Sequence, residues 1–274
     1  MQSETRYRSC ADAKTVRRDN MNISGHINSF DDFRKLIAKT TPGSWNFFRG
    51  ESRDFYSLIP KIGRLVKDRG ASTEGKIHLD LRMPADMYGE RHALQEFKKA
   101  ARALVAVQPT NTWEWMALAQ HHGLPTRLLD WSVNPLIALY FAVAETYNEI
   151  DLKRDNLISP KYNGGAAFYI AHTRYGLSEI DEESDPYEAK TCFFSAPVVT
   201  ARIRSQSGVF SIQKNPHKPL HEQIYKKEHI HKYHIPFELR AVLAKELRLL
   251  GVNHAFVYPD LDGLAKYIQE KLTE

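Results

Sequence analysis

Cysteine is scarce in this chain: two residues in 274, Cys10 and Cys192, far apart. That spacing holds no zinc-type ligand set and no disulfide framework, and it suits a reducing, cytoplasmic setting. Long apolar runs are missing as well. None approaches the roughly 18 residues needed to cross a bilayer, so no membrane association is expected. The first twenty residues are charged and lack the apolar stretch of a secretory signal. Neither GxxxxGK[ST] nor GxGxxG occurs, which removes the phosphate loop and the dinucleotide fingerprint. HExxH and CxxC are absent too, so no metal is expected. The serine context DWSVN around Ser132 lacks the glycine elbow of serine hydrolases.

What is present is a globular composition, with 42% hydrophobic and 26% charged residues. That is enough apolar material for a sizeable core. The formal charge of +5 suits a polyanionic partner without requiring one. Residues 1–24 are polar and basic, without apolar periodicity, and read as a flexible tail. Residues 25–274 read as one domain.

Ser29 can cap a helix through Thr40, with Phe30, Phe33, Leu36 and Ile37 on one face. Trp45 to Arg49 then reads as a short strand, Pro60 limits Tyr56 to Ile62 to an edge or loop, and 63–80 reads as a surface loop. A helical pattern runs from about Glu90 to Pro109. Thr112 caps a second helix, Trp113 to His121, which Gly123 closes. Pro125 cannot prolong that helix, so Thr126 to Trp131 is extended, and Asn134-Pro135 begins the next helix. Ala166 to Ala171, Val198 to Ile203, Gly208 to Gln213 and His254 to Val257 read as strands. Phe237 to Leu250 and Leu261 to Leu272 read as helices. The expected class is α+β: a single domain with a mixed or antiparallel sheet and a helical N-terminal portion.

Chemistry concentrates in Gln120 to Ala142, QHHGLPTRLLDWSVNPLIALYFA, where polar groups crowd between two apolar helical runs. Burying such groups unpaired is costly, so the segment is a hydrogen-bond knot or a ligand pocket. Arg49, after an aromatic run, either pairs with a carboxylate such as Asp130 or reaches into a cleft to grip an anion bidentately. Gly50 beside it would let a ligand approach the backbone. His121 and His122, at a helix end, point about 100° apart, so one faces a site and the other is partly exposed. Arg127 and Asp130, three apart on an extended segment, point to opposite sides. One locks the loop while the other faces the cleft, and Asp130 can also help cap the helix that starts at Pro135. Ser132 is the hydroxyl best placed as a nucleophile.

Gln206 and Gly208 in RSQSGVF form either an ordinary hairpin turn or an amide at a pocket mouth. The run HKPLHEQIYKKEHIHKYH (217–234) is a solvated face or a nucleic-acid contact. The candidate catalytic residues are therefore Arg49, His121, His122, Arg127, Ser132 and Gln206. The candidate ligand-binding residues are Arg49, Gly50, Arg127, Asp130 and Asn134.

WNFFRG followed by QHHGLPTRLLDWSVNPLIALYFA resembles the FRG domain family, named for its Phe-Arg-Gly signature, here Phe48-Arg49-Gly50. RSQSGVFSIQ (204–213) and YPDLDGL (258–264) are similar to further family landmarks. The resemblance implies a prokaryotic effector in a defence or toxin setting. Three functions stay open. The first is a transferase that resembles the ADP-ribosyltransferases and uses NAD. That superfamily places an arginine on an early strand, a serine or threonine on a second strand leading into a helix, and a late acidic or amide residue. Arg49, Ser132 and Gln206 follow that order. The departure is Gln206, which can bind a hydroxyl but cannot take a proton. The second is a nucleic-acid-binding or nucleic-acid-cleaving effector that uses His121 or His122 as acid–base, with Arg49 and Arg127 on the phosphate. The third is a non-catalytic ligand sensor. All three share a pocket for a nucleotide or other anionic ligand, with a nucleic acid or a protein as target. The sequence leaves the oligomeric state open.

Overall fold

The computed structural model describes residues 21–40, 45–65, 85–144, 165–174, 176–195, 197, 205–224 and 229–272. Seven strands form its sheet: β1 (Ile23–His26), β2 (Trp45–Glu51), β3 (Leu128–Ser132), β4 (Ala166–Thr173), β5 (Cys192–Ser195), β6 (Gly208–Ile212) and β7 (His229–Ile235). Their spatial order is β1-β7-β4-β2-β3-β6-β5. β1 lies parallel to β7 and every other neighbour is antiparallel, so the sheet is mixed.

Among the described residues there are eight α-helices. In chain order they are α1 (Phe30–Ala38), α2 (Lys61–Leu65), α3 (Ala85–Ala101), α4 (Thr112–His121), α5 (Pro135–Val143), α6 (Arg240–Leu249), α7 (His254–Val257) and α8 (Leu261–Leu272). The fold is α+β.

The central strands are covered on both faces, which is why they read as unbroken apolar runs rather than alternating ones. On β2, Phe47 and Phe48 point to opposite faces and both are buried. Phe47 packs with Leu129, Trp131 and Tyr169, whereas Phe48 packs with α5. α5 itself is apolar all round, as a helix enclosed on every side must be. Its start is fixed by Pro135 at the first turn and by Asn134, whose side-chain oxygen accepts the Leu136 N–H at 2.9 Å.

The structure departs from the sequence expectations at several elements. His254–Val257 is a helical turn, because Asn253 caps it and accepts the Phe256 N–H at 3.1 Å. A four-residue apolar run cannot distinguish strand from helix by periodicity, and the cap decides. α4 is capped by Asn111, one residue ahead of Thr112, through the Glu114 N–H at 2.9 Å. β5 was not expected, and neither was β7, which sits inside the His- and Lys-rich run. The boundary drawn after residue 24 falls inside β1, and β1 precedes α1, so the first described element is a strand. Residues 1–20, 198–204 and 66–84 lie outside the described residues.

Candidate functional site

β2 pairs with β4 along its whole length, from Trp45↔Thr173 to Glu51↔Ala167. It pairs with β3 at one position only, Phe48↔Ser132. Past that bridge the two strands part, and a cavity of about 290 Å³ opens between them. β2 and the residue after it contribute Arg49, Gly50, Glu51 and Ser52, and β3 contributes Asp130, Trp131 and Ser132. Gln120 and His121 enter from α4, Phe141 from α5, and Gln206 and Phe210 from the approach to β6 and β6 itself. The lining is apolar rings with a few polar groups aimed inward, the usual make-up of a ligand site.

Arg49 spans the split. Its Nη1 donates to the Asp130 carbonyl at 2.6 Å, which gives that carbonyl the partner a regular β2–β3 ladder would have supplied. Its Nε and Nη2 donate to Glu51 Oε1 at 3.0 and 2.5 Å. The pairing follows from strand geometry: residues two apart share a face. Burial works against the Arg49 charge, but Glu51 and Asp130 outweigh it and hold the guanidinium above its ordinary range. Arg49 is thus engaged within the protein, and the pocket sets it against two carboxylates.

Gly50 serves the fold. A Cβ at this position would lie 1.9 Å from the Ala138 carbonyl oxygen and 2.5 Å from the Ala142 nitrogen. The missing side chain lets α5 pack directly on β2. In the Cβ direction the space at Gly50 is filled by helix backbone, while the residue also lines the cavity.

His121 lines the cavity, while His122 is exposed and stands edge-on to it with ring centroids 4.8 Å apart. Asp130 accepts from Gln120 Nε2 at 2.9 Å, and Gln120 in turn accepts from the Thr126 hydroxyl. Asp130 caps no helix, since Asn134 does so, and Asn134 does not line the cavity. Ser132 Oγ donates to the Gln206 carbonyl at 2.7 Å and accepts the Asn134 N–H at 2.9 Å. Gln206 donates through Nε2 to the Val257 carbonyl at 3.2 Å. Ser207 beside it takes a positive φ of 47°, the left-handed region.

Arg127 is elsewhere. It is fully buried, with Nε 3.0 Å from Glu90 Oε2, its backbone N–H on Glu90 Oε1 at 2.8 Å, and Nη1 on the Tyr187 carbonyl at 3.2 Å. The expected convergence of Arg49 and Arg127 in one cleft does not occur, because the Glu90 carboxylate on α3 holds Arg127 away from the cavity.

Among the lining residues that the sequence reading did not single out, Glu51 and Gln120 hydrogen-bond the candidates Arg49 and Asp130. Glu51 was legible as the i+2 neighbour of Arg49 on a strand, and Gln120 as the polar end of an otherwise apolar helix. The His- and Lys-rich run forms no single basic face among the described residues. Lys232 is buried with Nζ on the Asp54 carbonyl at 2.5 Å, and His234 lies 3.1 Å from Asp54.

Residues 44–150 match the family model of the FRG domain. The FRG match covers 107 of the 274 residues. The matched span runs from β2 through α5, so it supplies both strands of the split and both helices that close over it. Gln206 and Phe210 reach the cavity from beyond that span. No curated protein and no solved structure matches the chain.

Proposed function

We propose that the cavity binds a nucleotide through its nucleoside portion and that the protein is a transferase of the ADP-ribosyltransferase kind, consuming NAD as a defence or toxin-like effector. The observation that carries this reading is that Arg49 on β2, Ser132 on β3 and Gln206 in the turn before β6 line one cavity. They come in the chain order that the analogy requires. The acid that Gln206 cannot supply is present in the same cavity, as Glu51 and Asp130.

The chemistry follows from those groups. Breaking the bond between the ribose anomeric carbon and the nicotinamide nitrogen builds oxocarbenium character on the sugar, as in glycoside cleavage. Fixed carboxylates facing that carbon stabilise it. Nicotinamide leaves with the bonding electron pair as a neutral molecule. An acceptor hydroxyl, amine or water then attacks the anomeric carbon and gives its proton to a cavity base, for which His121 and Asp130 are placed. Arg49 keeps the strands apart and orients Glu51. Phe141 and Phe210 supply aromatic surface to the lining.

The size agrees with this division. At about 290 Å³ the cavity stands at the small end of ligand pockets, roughly 300–1,000 Å³, and encloses a nucleoside-sized part with the remainder at the mouth. The test is a thermal-shift series with NAD, ADP-ribose, adenosine and inorganic phosphate on wild type, Ser132→Ala and Arg49→Lys. Wild type is expected to gain melting temperature with NAD, and both variants to gain less. A wild-type protein indifferent to every nucleotide would remove this reading.

A further inference from the structure

The charges inside the cavity leave little room for a phosphate. Arg49 is matched by Glu51 and faces Asp130 as well, so an added anion there would meet two carboxylates. One step outward the balance changes. Arg64, on α2, places Nη2 4.0 Å from Glu51 Oε1. The side chains of Arg49 and Glu51 are 13% and 12% exposed, whereas that of Arg64 is 34% exposed. Arg64 therefore stands beside the lining residue Glu51 and is more open to solvent than either Arg49 or Glu51.

Arg64 is also fixed in place. Its Nε donates to the Ile59 carbonyl at 2.7 Å, and its guanidinium carbon lies 5.0 Å from the centre of the Tyr56 ring. Tyr56 is itself held from both sides: its carbonyl accepts from the Tyr169 hydroxyl at 3.1 Å, and its hydroxyl accepts from Arg53 Nη1 at 2.8 Å. Among the described residues the two Nη atoms of Arg64 make no hydrogen bond. A guanidinium anchored at Nε and stacked on a ring keeps its outer fork for a bidentate anion, at little cost in side-chain ordering.

We propose that Arg64 reads the phosphate of a nucleotide whose nucleoside part lies in the cavity. This rests on the nucleotide reading above and adds to it which residue holds the phosphate and that the phosphate lies toward α2.

The experiment is titration calorimetry on the full chain, with wild type, Arg64→Ala and Arg64→Lys each titrated with NAD and, separately, with nicotinamide riboside and adenosine. Arg64→Ala is expected to weaken NAD about tenfold or more, the scale of lost charge-assisted hydrogen bonds, while leaving the better-bound nucleoside unchanged. Arg64→Lys is expected to fall between the two for NAD. Unchanged nucleoside binding also shows that the variant is folded. If Arg64→Ala binds NAD as wild type does, or weakens NAD and nucleoside alike, the assignment of Arg64 is overturned and the nucleotide reading stands. If wild type binds none of the three, the nucleotide reading falls, and this proposal falls with it.

Discussion

Two arginine–glutamate pairs flank β3, and they have little in common beyond their composition. Arg127 and Glu90 are sealed in the interior, 0% and 2% exposed at their side chains, and Tyr187 closes over them with its ring 4.8 Å from the guanidinium. Arg49 and Glu51 sit on one strand, partly open, and look into a cavity. The first pair ties α3 to the start of β3 and has no access to a ligand. The second stands where the sheet has lost its ladder, so a side chain does the work of backbone pairing and leaves space beside it. A buried ion pair by itself indicates neither function nor stability, and what distinguishes these two is whether a cavity adjoins the pair.

The strongest way to break the comparison is to remove Arg127. Arg127→Ala strands the Glu90 carboxylate in the interior and is expected to cost about 3–5 kcal/mol, read as a lower urea midpoint. The folded fraction should still respond to NAD. A variant that melts like wild type would show that the interior pair is not a clamp.

Gly50→Ala comes next. A methyl group pressed into the α5 backbone is an overpacking change of roughly 1–3 kcal/mol, again visible as a lower urea midpoint. Wild-type stability in this variant would mean that α5 does not lie against β2 as described.

Asn134→Ala removes the cap of α5 and is expected to cost about 0.5–2 kcal/mol in the same measurement. An unchanged midpoint would mean that Pro135 alone sets the helix start.

The smallest stability effect is expected at Asp130. Its carboxylate is exposed and caps no helix, so Asp130→Asn should stay within about 0.5 kcal/mol of wild type while weakening NAD turnover. This departs from the expectation from sequence that Asp130 helps cap the helix starting at Pro135. A variant that unfolds early but turns over normally would restore that view.

The cavity was partly legible because its residues cluster in two short stretches. Period-two geometry already set Arg127 and Asp130 on opposite sides, and the helical rotation already divided His121 from His122. Glu90 was the missing fact: 37 residues before Arg127 in the chain, it had no local signal to mark it as the partner. The packing role of Gly50 was hidden for a similar reason, since a glycine beside a candidate site serves a ligand and a packed helix equally well. β7 was hidden because its alternation of His with Ile, Lys and Tyr looks like a solvated segment, whereas the parallel β1 and antiparallel β4 on its flanks bury Lys232 and Ile235.

We propose the gap between β2 and β3 as a site for NAD chemistry, with Arg49 inside it and Arg127 outside it. The most direct measurement is nicotinamide release from NAD by wild type, Arg49→Lys and Arg127→Lys, scaled to the folded fraction of each. The account predicts release by wild type, a loss on the order of a hundredfold in Arg49→Lys, the scale of removing one preorganised electrostatic contact, and near-wild-type release by folded Arg127→Lys. No release by wild type, or release that Arg127→Lys abolishes and Arg49→Lys leaves intact, would contradict it.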